Sequence, residues 1–387
     1  MNLKYKRPHV AELVSRLRED AESIIIVSGP RQVGKTTLVR QALETFPESQ
    51  FAFLAVDMPG NQSLSLGHEA STKEVFEQIG RPRDAAWLID HWERARNCAA
   101  NSQDGFILVF DEIQKISRWS DVVKGLWDED RSNGLNLKVV LLGSTPLMVK
   151  RGIGESLAGR FEMIRVAHWS FSEMQDAFQF DLDSFIYFGG YPGRAHAVSD
   201  ETRWKDYVRD SLIAPSIDND ILMMSRIDKP ALLRKLFQHC CDYSGQIVAF
   251  NKLLGQLQDK GNTVTIAHYL DVLREAGLIV GLQKHAGQHL RQRSSSPKLI
   301  AQNTALISAT SGYSRRDASI DRSYWGRMVE SAVGAHLYNS RRSDCQIQYW
   351  RASPYEVDFV ISRGRNLSLV EVKSSAKSTS SVSQVGA

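Results

Sequence analysis

Cysteine is scarce in this chain. Cys98, Cys240, Cys241 and Cys345 are the only four in 387 residues. None stands at the spacing of a metal-ligand or redox pair, and a chain of this length has no need of a disulfide framework. Long apolar runs are missing too. No stretch approaches the roughly 20 residues that cross a bilayer, so no membrane partner is expected. The basic start, Met1 to Pro8, has no apolar segment behind it and is not a secretory signal; the cytoplasm is the expected location. An excess of one charge is also absent. Lys and Arg number 48 against 44 Asp and Glu, a net +4 that does not by itself point to nucleic acid. With 42% apolar and 24% charged residues the composition is that of an ordinary globular protein. At roughly 150 residues per domain the length suggests two or three domains.

Against this plain background one motif stands out. Residues 29–36 read Gly29-Pro30-Arg31-Gln32-Val33-Gly34-Lys35-Thr36, a full G-x-x-x-x-G-K-[ST] match with Thr37 after it. An apolar run, Ile24 to Val27, precedes it, and a helix-like stretch, Thr37 to Leu43, follows. Strand, glycine-rich turn and helix are the context a phosphate-binding loop requires. Its backbone N–H groups and the positive end of the helix face the phosphates of a nucleoside triphosphate. Lys35 reaches the β- and γ-phosphates, and the Thr36 hydroxyl is offered to Mg²⁺.

A partner motif lies downstream. Phe106-Ile107-Leu108-Val109-Phe110 reads as a strand buried on both faces, ending in Asp111-Glu112. Asp111 at the carboxyl end of such a strand is placed to hold Mg²⁺, and Glu112 beside it is the natural base for an attacking water. Lys138 to Leu142 reads as a further strand that runs into Gly143-Ser144-Thr145. Ser144 is either a contact to the γ-phosphate or its water, or part of an ordinary strand-to-loop turn. Arg160 precedes a last strand-like run, Met163 to Val166. It is a candidate arginine finger or a surface arginine, and acting in trans it requires a homo-oligomer. Arg31 is a second cation close to the phosphates.

This set (the P-loop, Asp111-Glu112-Ile113-Gln114, Gly143-Ser144, Ser156 to Arg160 and Trp169 to Glu173) resembles a branch of the AAA+ ATPases in which the ATPase is fused to a long C-terminal region. The resemblance runs over nearly the whole chain. It implies an α/β domain of three layers around five parallel strands, with the 138–142 strand between the P-loop and Asp111 strands. It also implies ATP as the nucleotide, Ser144 as a sensor and Arg160 as the finger.

Past Glu173 the pattern changes. Gly189-Gly190-Tyr191-Pro192 is a turn-rich break that looks like an element of the same family. Helical periodicity returns over Trp204–Leu212 and Pro230–Cys241, the latter with Leu232, Leu233, Leu236 and Phe237 on one side. Asn251–Leu257, a Gly-containing turn and Thr263–Glu275, followed by an apolar exit at Leu278-Ile279, read as a winged helix-turn-helix. Asp271 and Glu275 on its second helix would face a DNA backbone poorly, so a packing or protein-contact role stands beside a DNA-reading one. His268 and Tyr269 read as interior or edge residues. Residues 284–298 are basic and polar, a solvated wing or a phosphate-contacting arm.

The C-terminal region carries three strand-like runs, Gln346–Arg351, Val357–Ile361 and Ser368–Val372. Asp358 and Glu371 can converge at the ends of neighbouring strands with Lys373 two residues on, a set that suits a divalent cation and an activated water. A helix opening at Trp325 adds Glu330 as a third carboxylate. This resembles the PD-(D/E)xK nuclease superfamily. The resemblance implies Asp358, Glu371 and Glu330 as metal ligands, Lys373 as the water-orienting cation, and DNA as a partner. The superfamily core continues past the lysine, whereas this chain runs into the Ser-rich, disordered-looking segment Ser374–Ser381 and stops at Ala387. Either the nuclease-like region is truncated relative to its family, or the last elements are dispensable.

The expected organisation is an ATPase domain over 1–175, a helical winged-helix domain over 176–290 and a restriction-endonuclease-like α/β domain over 291–387. The expected function is ATP binding and hydrolysis coupled to a nucleic-acid-associated C-terminal domain. The alternative is a non-cleaving ATP-dependent switch that binds DNA or a protein.

Overall fold

The structure is a computed structural model, and it describes residues 5–57, 82–143, 156–222, 227–257, 262–286 and 295–374. Ser144, the centre of the basic arm and the Ser-rich tail lie outside the described residues. Packing divides the chain into two compact units, Met1–Val166 and Ala167–Ala387. Among the described residues no helix is long and apolar enough to cross a membrane.

In the N-terminal unit β1 (Ile24–Ser28), β2 (Phe51–Ala55), β3 (Phe106–Asp111), β4 (Leu137–Gly143) and β5 (Phe161–Arg165) form one sheet in the order β2-β3-β4-β1-β5. Every pairing is parallel. The strand expected between the P-loop and Asp111 strands is there, as β4. Alternate residues of each strand point to opposite faces. Ile25, Val27, Phe53, Val109 and Val140 pack with Leu13, Leu17, Leu38 and Leu43 of α1 (Pro8–Arg18) and α2 (Lys35–Leu43). Ile24, Ile26, Leu54, Leu108, Phe110 and Leu141 pack on the other face with Trp87 and Trp92 of α3 (Ala85–Ala100) and Trp119 and Trp127 of α4 (Trp119–Ser132). Burial on both faces explains the unbroken apolar runs of these strands.

The C-terminal unit begins with α5 (Phe171–Phe178), α6 (Leu182–Phe188) and α7 (Glu201–Tyr207), which continues as a π-helical stretch, Val208–Ile213. A reciprocal capping box between Ser170 and Glu173 starts α5, which explains those two residues of the Trp169 to Glu173 sequence. The Gly-Gly-Tyr-Pro break is built around Asn303. Gly189 adopts φ 67°, and a Cβ there would lie 2.0 Å from Asn303 Oδ1. That oxygen accepts from Gly190 N and Ala305 N, each at 3.1 Å, and Asn303 Nδ2 meets His168 Nδ1 at 3.2 Å.

Next come α8 (Pro230–Asp242), α9 (Phe250–Leu257) and α10 (Thr263–Glu275), then β6 (Ile279–Leu282) antiparallel to β7 (Lys298–Ala301). Ile247 adds an antiparallel bridge to Lys298. The Leu232, Leu233, Leu236 and Phe237 face of α8 is buried, as its periodicity predicts. Tyr269 is buried but His268 is exposed, so of that pair only the tyrosine is interior. The last elements are α11 (Ala305–Thr310), α12 (Arg315–Ile320), α13 (Arg322–Ser340) and an antiparallel sheet β8 (Cys345–Ala352), β9 (Tyr355–Arg363), β10 (Asn366–Val370), with β9 central. Val280 and Ile300 of β6–β7 share a core with Ala335, Ile347, Tyr349 and Phe359. Residues on both sides of position 290 therefore build one core. Gly334 of α13 lies close against β9, where a Cβ would lie 2.8 Å from the Phe359 ring.

Candidate functional site

The P-loop leaves β1 at Ser28, between β4 and β5, because Gly143 and Arg165 flank that residue in register. Gly29 is demanded by space, since a Cβ there would lie 2.0 Å from Val166 O. Gly34 is demanded by backbone conformation. It takes φ 89° with open space around it, and Gln32 takes φ 61°. Gly34 caps α2, so the N-terminus of that helix opens onto the loop. Val33 is fully buried, and its carbonyl accepts from Arg7 Nη1 at 3.2 Å. Arg7 is a support that the sequence did not reveal. Pro30 and Arg31 are half-buried, whereas Gln32 and Thr37 are exposed.

Lys35 is 8% exposed, and its ammonium donates to Gly29 O at 2.9 Å and Pro30 O at 2.8 Å. Thr36 Oγ1 donates to Asp111 Oδ2 at 2.8 Å. Two residues 75 positions apart thus meet. Asp111 closes β3, and its burial pushes the carboxyl above the ordinary range, Thr36 opposing and Asp57 adding to the rise. Glu112 follows at φ 57°, a left-handed turn that carries the chain off the sheet edge. Its carboxyl is also raised, first by burial and then by Asp111. Gln114 Nε2 donates to Glu112 Oε2 and holds the carboxylate from one side.

The hydroxyl of Thr36 and the carboxylate of Asp111 are hard oxygen donors already in contact, so they fit Mg²⁺, which takes few protein ligands beside nucleotide phosphates. When bound, that ion supplies neutralising charge to the phosphates. Gly143, the last residue of β4, pairs with Ser28 just before the P-loop. Ser144 itself is outside the described residues. Arg160 is at the opposite edge of the sheet. Its carbonyl accepts from Ile24 N at 2.8 Å, and β5 then runs from Phe161 beside Ile24 to Arg165 beside Ser28. That is roughly 13 Å of strand at ~3.3 Å per residue. Its guanidinium grips Asp128 of α4, Nε to Oδ1 at 2.6 Å and Nη2 to Oδ2 at 3.0 Å. The structure does not bring Arg160 to the P-loop of its own chain.

In the C-terminal unit Glu330 is on α13, Asp358 on β9, and Glu371 and Lys373 just beyond β10, which ends at Val370 rather than Val372. Val372 N donates to Asp358 Oδ2 at 2.8 Å, and Lys373 Nζ pairs with Glu371 Oε1 at 2.6 Å. The residue that sequence reasoning missed here is Lys298. Read as the end of a basic arm, it is instead the first residue of β7 and fully buried. Its ammonium pairs with Glu330 Oε1, and with Asp358 Oδ1 at 3.2 Å. Burial pushes the Glu330 carboxyl up, and Lys298 opposes the rise. Among the described residues no three His, Cys, Asp or Glu side chains are grouped to hold a metal ion. The residues present therefore do not fit the divalent cation that the nuclease resemblance implies.

Comparison with known proteins agrees with the N-terminal geometry. Residues 21–175 match the family model of an AAA domain. Residues 179–317 and 325–385 match two domains of unknown function, DUF8612 and DUF4143. The chain is 24% identical over 335 residues to an uncharacterized protein of Mycobacterium tuberculosis, covering 85% of this chain and 65% of that one. It is 23% identical over 272 residues to an uncharacterized protein of Haemophilus influenzae, covering 67% and 62%. The chain thus spans less than two thirds of the length of these relatives. A Walker-type ATPase of Pyrococcus abyssi superposes with a TM-score of 0.50 at 14% identity over 79% of this chain and 95% of that one, a likeness of fold. The N-terminal unit thus has the fold and the P-loop geometry of an AAA domain, a likeness that supports ATP binding.

Proposed function

Taking the AAA+ P-loop ATPase domain as premise, we propose that this chain hydrolyses ATP in a Mg²⁺-dependent reaction and uses nucleotide state to switch a non-cleaving C-terminal unit. The Thr36–Asp111 hydrogen bond with Glu112 adjacent carries this reading. Lys35 and the P-loop amides hold the phosphates, and Glu112 takes the proton of the attacking water. Gln114 keeps that carboxylate turned to the site. Ser144 serves as the sensor after β4. Arg160 acts in trans, from the far sheet edge of a second copy, after leaving Asp128. The active form is then a homo-oligomer.

We read α9, α10 and the β6–β7 pair as a winged helix inside the C-terminal unit, its wing crossing the boundary expected at position 290. The exposed face of α10 carries Thr263, Val264, His268 and Asp271, and Arg274 is tied to Asp271 at 2.9 Å. So little free positive charge favours a protein partner over a DNA backbone. The test is Mg²⁺-dependent ATP turnover of the purified chain with and without double-stranded DNA. Turnover indifferent to DNA supports the switch. Stimulation by DNA returns the coupling to nucleic acid, and no turnover at all overturns the hydrolytic reading.

A further inference from the structure

The acidic cluster of the C-terminal unit already contains a cation. Lys298, Glu330 and Asp358 come from β7, α13 and β9, three elements fixed by one core. The Lys298 side chain is 1% exposed, against 21% for Glu330 and 15% for Asp358. An ammonium has three protons, and three acceptors surround this one: Glu330 Oε1, Asp358 Oδ1 and Asp358 O, the last at 3.2 Å. Its Nζ also lies 4.9 Å from the centre of the Phe359 ring. Both Asp358 oxygens are engaged, one by Lys298 and one by Val372 N. Glu371 is paired with Lys373, and Glu356 with Arg351.

A divalent ion binds carboxylate oxygens at about 2.0–2.6 Å. It would have to enter the space between Glu330 and Asp358 that the ammonium fills, and would meet that buried positive charge at contact range. A buried lysine with its acceptors satisfied cannot swing out without leaving two half-buried carboxylates unpaired.

We propose that Lys298 is the built-in counter-ion of this site, taking the place a divalent metal would need, so that the C-terminal unit keeps the carboxylates of a hydrolytic centre without an ion to activate water. The nuclease-like shell is then a rigid scaffold, and its triad ties β7, α13 and β9 together. The inference stands whether or not the N-terminal unit turns over ATP.

Mn²⁺ titration of the nucleotide-free full chain, followed by the electron paramagnetic resonance of free Mn²⁺ and by thermal melting, tests it. Wild type and Asp358→Asn should bind Mn²⁺ identically, because any weak binding at the P-loop is common to both. Lys298→Ala should gain one site per chain and melt several degrees higher with Mn²⁺ than without. A wild-type Mn²⁺ site that Asp358→Asn removes overturns the proposal. So does a folded Lys298→Ala chain that Mn²⁺ leaves unchanged. Should Lys298→Ala not fold, the wild-type and Asp358→Asn comparison decides alone.

Discussion

Each unit brings a lysine to a pair of acids, and the two lysines are anchored differently. In the N-terminal unit Lys35 donates to the carbonyls of Gly29 and Pro30, while Asp111 turns to the hydroxyl of Thr36. The carboxylates there sit above their ordinary range because they are buried, a state that a bound cation relieves. In the C-terminal unit Lys298 stands between Glu330 and Asp358 and pairs with both. Residue types alone do not define a metal site. The anchoring of the ammonium decides whether a carboxylate pair is open to an ion or already closed.

The comparison breaks most sharply at Arg160. On the proposed trans role, Arg160 has to leave Asp128, which holds it at the far edge of the sheet. Arg160→Ala should lower turnover by about 10³-fold where the protein self-associates, the scale of an arginine finger. A loss-free variant, measured across a concentration series with the oligomer followed by light scattering, removes the trans role. The C-terminal triad, complete within one chain, should instead act on stability. Lys298→Met should cost about 3–5 kcal/mol in urea unfolding, the scale of a broken buried ion pair. Lys35→Met should abolish ATP binding and cost the empty chain only about 1 kcal/mol, that of loop hydrogen bonds. Equal losses of stability would erase the distinction.

The smallest effect concerns pH. Asp111 and Glu112 have raised carboxyls in the folded chain, so the folded state holds their protons more tightly than the unfolded one. Empty-chain stability is then lost as pH rises through the interval between the ordinary and the raised values. ATP and Mg²⁺ need the ionised forms, so binding and turnover fall as pH drops through the same interval. Asp57 adds to the rise of both carboxyls. Asp57→Asn should shift the acidic limb of turnover to lower pH without changing the plateau. A limb that stays in place would detach it from these carboxylates.

The N-terminal fold was legible because each of its signals is local. A P-loop is eight consecutive residues, and a strand buried on both faces is an apolar run. The helix Thr263–Glu275 follows from such a segment, whereas the place of the 138–142 strand came from the family resemblance. Lys298 was not legible, because it lies 32 positions before Glu330 and 60 before Asp358. Its neighbours Arg291 and Arg293 made it look like part of a solvated basic arm. The one local hint is that Lys298 opens the apolar run Leu299-Ile300-Ala301. Arg7 escaped for the same reason, its partner Val33 being 26 positions away.

ATP turnover by wild type and Glu112→Gln, each with ATP binding measured in parallel, tests the central claim most directly. The account predicts Mg²⁺-dependent hydrolysis by the wild type. It predicts ATP binding retained in Glu112→Gln, with turnover lower by about 10²–10⁴-fold, the contribution of a general base. Hydrolysis by Glu112→Gln at the wild-type rate would contradict it.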